Sequence, residues 1–438
     1  MTGKPERAGA EARSHVEYNR SRKYRSMPQP LKGVCVADFS HVMAGPFCSH
    51  FLRMMGAEVI KIESLRGDAM RDYGPFREYD GLSPAFIAAN AGKRSLAVDL
   101  KDAEGMEIAR RLIRRADVVL ENFRPGVMDR LGLGYEACKE LQPRIVYCAI
   151  SGYGQAGAWR DLPAIDNIVQ ATGGVMAANG EPEDPPSRAG WPVIDTYAGT
   201  LAALAVIGAL LQRERFGEGQ YIDVAMLDAS VVLLTSLATP YLVTGKTLPR
   251  TGDVGYSGSP TSATYATEDG TRLALGVVQN NHFKLLCAVL GRPELAEDPR
   301  FRDPAGRADP QNAAVLRQIL SDVFLGRPGR EWESKLRSAG VPCGMIRGID
   351  EVCEKARTDG RGLIVPTLAA ANGRPRPAAY VNAGFVYEHD GPGSDGLPPM
   401  LGEHTEAILG TLGYSTEQIA NLLERRVVLA GQRHPGRP

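Results

Sequence analysis

The sequence predicts an α/β protein with a large parallel-sheet domain and a smaller α+β domain. Two observations carry this: short apolar strands alternate with helical segments from Leu31 to Ala225, and composition changes after that point. Length agrees, because 438 residues exceed what one hydrophobic core usually holds. The expected divisions are an extension over 1–30, the large domain over 31–225, the small domain over 226–335, and a return over 336–438.

Residues 1–30 carry seven Lys or Arg against three Glu, with no apolar core of a secretory signal, and read as a disordered extension. Gly33–Phe39 then reads as a buried strand, Ser40–Pro46 as a loop, and Phe47–Met55 as a helix ended by Gly56. Glu58–Glu63 alternates as the next strand, which completes a βαβ unit and implies parallel pairing. The Ala44-Gly45-Pro46 turn reads equally well as a close approach to a ligand or as a tight turn with Pro46 opening the helix.

Arg94–Leu100, Asp117–Glu121 and Arg144–Ile150 extend the strand series, with an amphipathic helix over Gly105–Arg114. Three strand ends deliver polar, Gly-rich loops: 40–46, 121–126 and 151–157. In a parallel, Rossmann-like sheet they share one edge, where ligands settle. No G-x-G-x-x-G follows the first strand, which weakens a dinucleotide reading. Gln220–Ala225 is a further strand. The stretch 226–245 is apolar and helical, a helix is expected around 281–290, Ala339–Gly344 marks the return, and a helical hairpin closes the chain from 401.

Charge and cysteine usage exclude several partners. Lys plus Arg and Asp plus Glu both total 51, so no global field favours nucleic acid. The seven cysteines lack zinc spacing and read as reduced thiols of a cytoplasmic protein without a metal site. The apolar run Ala198–Leu211 is too short to span a bilayer and reads as a core helix, so no membrane partner is expected.

The stretch Val193-Ile194-Asp195-Thr196-Tyr197-Ala198-Gly199 opens that helix. Asp195 has two readings, a helix N-cap and a nucleophile, and local pattern favours the cap. The two are compatible, because a helix N-terminus stabilises a carboxylate anion. Arg94, Arg124 and Arg130 each suit a phosphate, although a solvated surface charge is the commoner role for any one arginine.

Taken together, DFSHVMAGPFCSHFLRMMGAEVIKIES, NAGKRSLAVDLK, DVVLENFRPGVMDRLG, GYGQAG, PAIDNIVQATGG, IDTYAGT, GEGQYIDVAMLDA, GVPCG and PMLGEHTEAIL resemble the class III CoA-transferases, in order, from about residue 31 to 428. Formyl-CoA transferase and carnitine CoA-transferase are members of that family. The resemblance implies an acyl-CoA and a carboxylic acid as substrates, coenzyme A arriving as a thioester, and no permanently bound cofactor. It implies that Asp195 is the nucleophile and Asp166 a carboxylate near the reaction centre. His41, Val42, Met43, Ala44, Val98, Lys101, Asn122, Phe123 and Arg130 match positions lining the CoA site. An interlocked, ring-like homodimer is also implied by the family.

The sequence departs from formyl-CoA transferase at Met43, where that enzyme has glutamine, at Ser64, where it has arginine, and over 246–270, which lacks its glycine-rich loop. A thioether at 43 favours a larger, less polar acid, a dicarboxylate with succinyl-CoA as donor. Alpha-methylacyl-CoA racemase shares the fold, but its histidine falls at Ile165, and isoleucine cannot move a proton. A non-catalytic acyl-CoA binding protein of the same fold is the other alternative.

Overall fold

In the computed structural model, residues 29–255, 258–393 and 396–431 are described. The expected extension lies almost wholly outside them. The chain divides into two compact units, one comprising residues up to Gly173, Gly190–Thr235 and Lys355 onward, the other Gly174–Ala189 and Ser236–Glu354.

In the first unit, β1 (Cys35–Asp38), β2 (Glu58–Glu63), β3 (Arg94–Val98), β4 (Val118–Glu121), β5 (Val146–Ser151) and β6 (Tyr221–Ala225) pair in parallel in the order β3-β2-β1-β4-β5-β6. A final strand, β12 (Val428–Leu429), adds antiparallel to β3. Alternation along each strand feeds two cores. Ala37, Ile62, Leu96 and Val119 pack with Ile108 and Leu112 of the Ala103–Ile113 helix on one face. Val36, Val59, Val118 and Cys148 pack on the other face with Cys48 and Leu52 of the Ala44–Met54 helix and Ala202, Val206 and Ala209 of the Val193–Phe216 helix. Both faces are covered, so the sheet is doubly wound.

That coverage buries even the polar residues in the second half of β2. Lys61 and Glu63 are buried, at 0% and 5% exposure, and both are ion-paired: Lys61 to Asp68 at 2.9 Å, Glu63 to Arg71 at 2.7 Å. The Ala198–Leu211 run also proves to be part of a 24-residue helix, by length and composition enough to cross a bilayer. Here that helix packs along the sheet.

The hairpin β10 (Ile364–Ala371) and β11 (Arg374–Val381) also belongs to the first unit. The second unit is built on β7 (Thr264–Ala266), β8 (Arg272–Leu275) and β9 (Cys343–Met345), all antiparallel. Phe283, Leu286, Leu316, Leu320, Phe324 and Trp332 form its core.

Unit boundaries differ from the expected ones for local reasons. The helix Met226–Leu233 packs against the Val193–Phe216 helix and so stays with the large unit. Residues 343–345 do not begin the return, because β9 completes the small sheet through Leu275 and Cys343.

Candidate active site

In the order 3-2-1-4-5-6 the connections reverse direction between β1 and β4, and a crevice opens outside the C-terminal ends of those strands. His41 follows β1 and Asn122 follows β4. They meet there: the His41 N–H donates to Asn122 Oδ1 at 2.9 Å, and Asn122 Nδ2 donates to the His41 carbonyl at 2.8 Å. The His41 ring lies 5.0 Å from that of Phe123. Burial holds the imidazole below its ordinary pKa, against the pull of Asp68.

Buried ions support this loop from below. Asp38 accepts Ser49 Oγ at 2.5 Å, Lys93 at 3.2 Å and the Ser40 N–H at 3.0 Å. Burial alone would raise the Asp38 pKa, but the Lys93 and Lys61 ammoniums overcome it and hold the carboxyl below its usual range. Lys93, fully buried, is driven down to about 8.

The next helix begins at Ala44, with Met43 at its cap and no side chain closing it. Pro46 is therefore the third helical residue, not the first, and its missing N–H still costs no helical bond. Gly45 is required, because a Cβ there would lie 2.2 Å from that of Ser40. Met43 is partly buried against the cluster of Met70, Leu82 and Phe86, so its thioether is shared with the core and is not simply presented to a ligand.

Asp195 does not cap its helix. The helix runs Val193–Phe216 with Pro192 at the cap, which makes Asp195 the third helical residue. The cap comes from Asp166, whose Oδ2 accepts the N–H groups of Ile194 at 2.8 Å and Asp195 at 3.0 Å. Gln170, itself buried, donates to the other Asp166 oxygen at 2.5 Å. Burial, and after it the charge of Asp166, push the Asp195 carboxyl up to about 7. The helix terminus thus does not keep Asp195 strongly ionised, contrary to expectation, because burial and the neighbouring Asp166 charge outweigh it.

One turn beyond Asp195, on the same helix face, stands Gly199. A Cβ there would lie 2.5 Å from the Ala44 carbonyl and 3.1 Å from Phe47 Cβ. The missing side chain lets the turn carrying Asp195 seat against the start of the Ala44–Met54 helix.

The remaining expected residues divide. Val98 is core, 1% exposed and paired with Val428, so its side chain is unavailable to a ligand. Lys101 is exposed just past β3, at the same sheet edge as His41. Arg130 is exposed and approaches Gly126, where Arg160 also converges; a Cβ on Gly126 would sit 3.2 Å and 3.7 Å from their guanidinium nitrogens. Arg94 pairs with Glu58 at the opposite strand ends and is no phosphate ligand.

Two groups escaped the sequence. Arg160 lies in a loop without periodicity. Glu121, expected as a strand end opening the 121–126 loop but not as a titrating group, is pushed up to about 7 by burial, against the Phe123 N–H, with Asp129 and Asp223 adding to the rise. It borders a cavity of about 290 Å³ with Asp129, Tyr135, Tyr147, Gln155 and Tyr221. Among the described residues no three His, Cys, Asp or Glu side chains group as a metal site.

Comparison with known proteins identifies the family. The family model "CoA-transferase family III" matches residues 31–405. The chain is 34% identical over 410 residues to the succinyl-CoA–D-citramalate CoA-transferase of Chloroflexus aurantiacus, covering 92% of this chain and 98% of that one. It is 36% identical over 383 residues to the acetyl-CoA:oxalate CoA-transferase of Acetobacter aceti, covering 86% and 95%. A CAIB/BAIF family protein from Brucella suis superposes with a TM-score of 0.79 at 32% identity, covering 88% of this chain and all of that one. On these grounds the chain is an enzyme that belongs to CoA-transferase family III.

Proposed function

We propose that this transferase moves CoA from an acyl-CoA donor to a carboxylic acid through covalent intermediates on Asp195. The observation that carries the reading is the seating of Asp195 at a helix start, capped by Asp166 and pressed through Gly199 against Ala44. The Asp195 carboxylate attacks the thioester carbonyl, the C–S bond breaks, and CoA thiolate leaves, giving a mixed anhydride. The thiolate then attacks the aspartyl carbonyl, releasing the donor acid and forming an aspartyl thioester. The acceptor carboxylate attacks that thioester and expels CoA, which attacks the acceptor's carbonyl, forms the product and frees Asp195. Each step passes through an oxyanion, and N–H groups at the uncapped start of the Ala44–Met54 helix are suited to receive it.

His41, Val42, Met43, Ala44, Asn122 and Phe123 surround CoA in this reading, with Lys101, Arg130 and Arg160 toward its phosphates. Succinyl-CoA is the proposed donor, supported by the Chloroflexus relative. Racemisation has no support, since Ile165, beside Asp166, offers no acid or base.

A homodimer completes the proposal. The middle of the Val193–Phe216 helix, Leu201 to Leu211, is apolar on all sides, and it exposes Leu204 at 66% and Leu211 at 53%. Such a helix is expected to be covered.

A screen of acyl-CoA donors against carboxylic acids, comparing wild type with Asp195→Ala, tests the function. Transfer by wild type from succinyl-CoA, abolished in the variant, is expected. Undiminished transfer by the variant would overturn the role of Asp195.

A further inference from the structure

Among the described residues four non-glycine residues adopt a positive φ: Val42, Asp80, Asn372 and Arg426. Asn and Asp tolerate this region, but Val42 is β-branched and sits there, at φ 65°, against its preference. Strain of this kind persists only where surrounding structure imposes it, and it gathers at ligand clamps. Val42 is nonetheless 40% exposed, so core packing of its side chain does not impose it.

The backbone is held instead. Both oxygens of Asp68 accept the Val42 N–H, at 3.2 Å each. Asp68 is fixed by Lys61 at 2.9 Å, and the same Lys61 ammonium donates to the Ser40 carbonyl at 2.8 Å. Asp68 also accepts the Met70 N–H at 2.9 Å and donates its own N–H to Glu63 at 3.1 Å. Asp68 and Lys61 thus grip the loop at residues 42 and 40, while Asn122 grips residue 41 between them. Every grip comes from a side chain on another element and holds the backbone, while the Val42 side chain stays exposed.

We infer that Asp68 is a positioning residue for the transferase reaction: it forces Val42 into the left-handed conformation and thereby aims the start of the Ala44–Met54 helix at the acyl-CoA. The inference rests on the proposed role of loop 41–44. Asp68 touches no substrate and acts through the Val42 backbone.

A double-mutant cycle isolates this action. Asp68→Ala is measured in the wild-type background and in a Val42→Gly background, at a temperature where circular dichroism shows every variant folded. Glycine adopts positive φ without strain, so the clamp is dispensable there. The unpaired Lys61 is common to both backgrounds and cancels. Asp68→Ala is expected to lower kcat/KM for succinyl-CoA by about 100-fold beside Val42, and by less than about 10-fold in the Val42→Gly background. Equal losses in both backgrounds would overturn the inference, since a purely structural role predicts them.

If Asp68→Ala does not fold, hydrogen exchange of the unmodified protein decides. The Val42 amide is expected to be protected, and exchange at open-loop rates overturns the clamp. Activity retained by Asp195→Ala would count against the nucleophile reading alone, whereas absence of coupling with an inactive Asp195→Ala counts against the clamp alone.

Discussion

Asp166 accepts the backbone N–H of Asp195 at 3.0 Å, so one carboxylate caps the helix on which the other is presented. The cap keeps the helix start in place, and its charge helps hold the Asp195 carboxyl up at about 7, behind the larger effect of burial. Asp166→Asn retains an oxygen for the cap and removes the charge. The acid limb of kcat/KM is expected near pH 7 in wild type and at lower pH in the variant. An unmoved limb would contradict the coupling.

The same shift has a stability consequence. With a folded pKa of about 7 against the ordinary 3.8, the native state binds the proton more tightly. Stability is therefore lost as pH rises through that window, and the deficit is complete above it. Asp195→Asn should gain on the order of 1–2 kcal/mol at pH 8 and nothing at pH 3. Urea unfolding at the two pH values checks this; equal gains at both would refute it.

Gly199 has no room for a methyl group, with the Ala44 carbonyl 2.5 Å from the Cβ position. Gly199→Ala should cost about 1–3 kcal/mol and displace the turn bearing Asp195. Loss of kcat of about 10-fold or more should accompany the lower melting temperature. A variant with unchanged kcat would mean that this contact does not set the Asp195 geometry.

The exposed Leu204 and Leu211 belong, in the proposed dimer, to a covered face. Leu204→Glu with Leu211→Glu should shift the protein from dimer to monomer or prevent assembly, as read by light scattering with size-exclusion chromatography. A wild-type monomer, or an unaffected dimer, would remove that face from the interface.

Much of the large sheet was legible because buried parallel strands read as continuous apolar runs, and Val118–Glu121 and Val146–Ser151 fell within or beside the expected segments. What was lost was non-local. Nothing local marks Lys61 as a buried ion; the fold brings Asp68 and Ser40 to it. Asp195 resembles a cap because Ser, Thr, Asn and Asp do so locally; only the fold brings in Asp166, which takes that place. Met43 sits next to two crevice residues in sequence, yet its side chain leans into the Phe86 cluster. The small unit's last strand was missed because three residues with a glycine at their centre carry almost no pattern.

Trapping the covalent intermediate tests the central claim most directly. Succinyl-CoA is mixed with the protein without acceptor, quenched, and the peptide containing Asp195 is read by mass spectrometry with and without hydroxylamine. The account predicts a CoA thioester on Asp195, converted by hydroxylamine to a hydroxamate. Steady transfer to an acceptor with no modification of Asp195, or with the adduct on another residue, would contradict it.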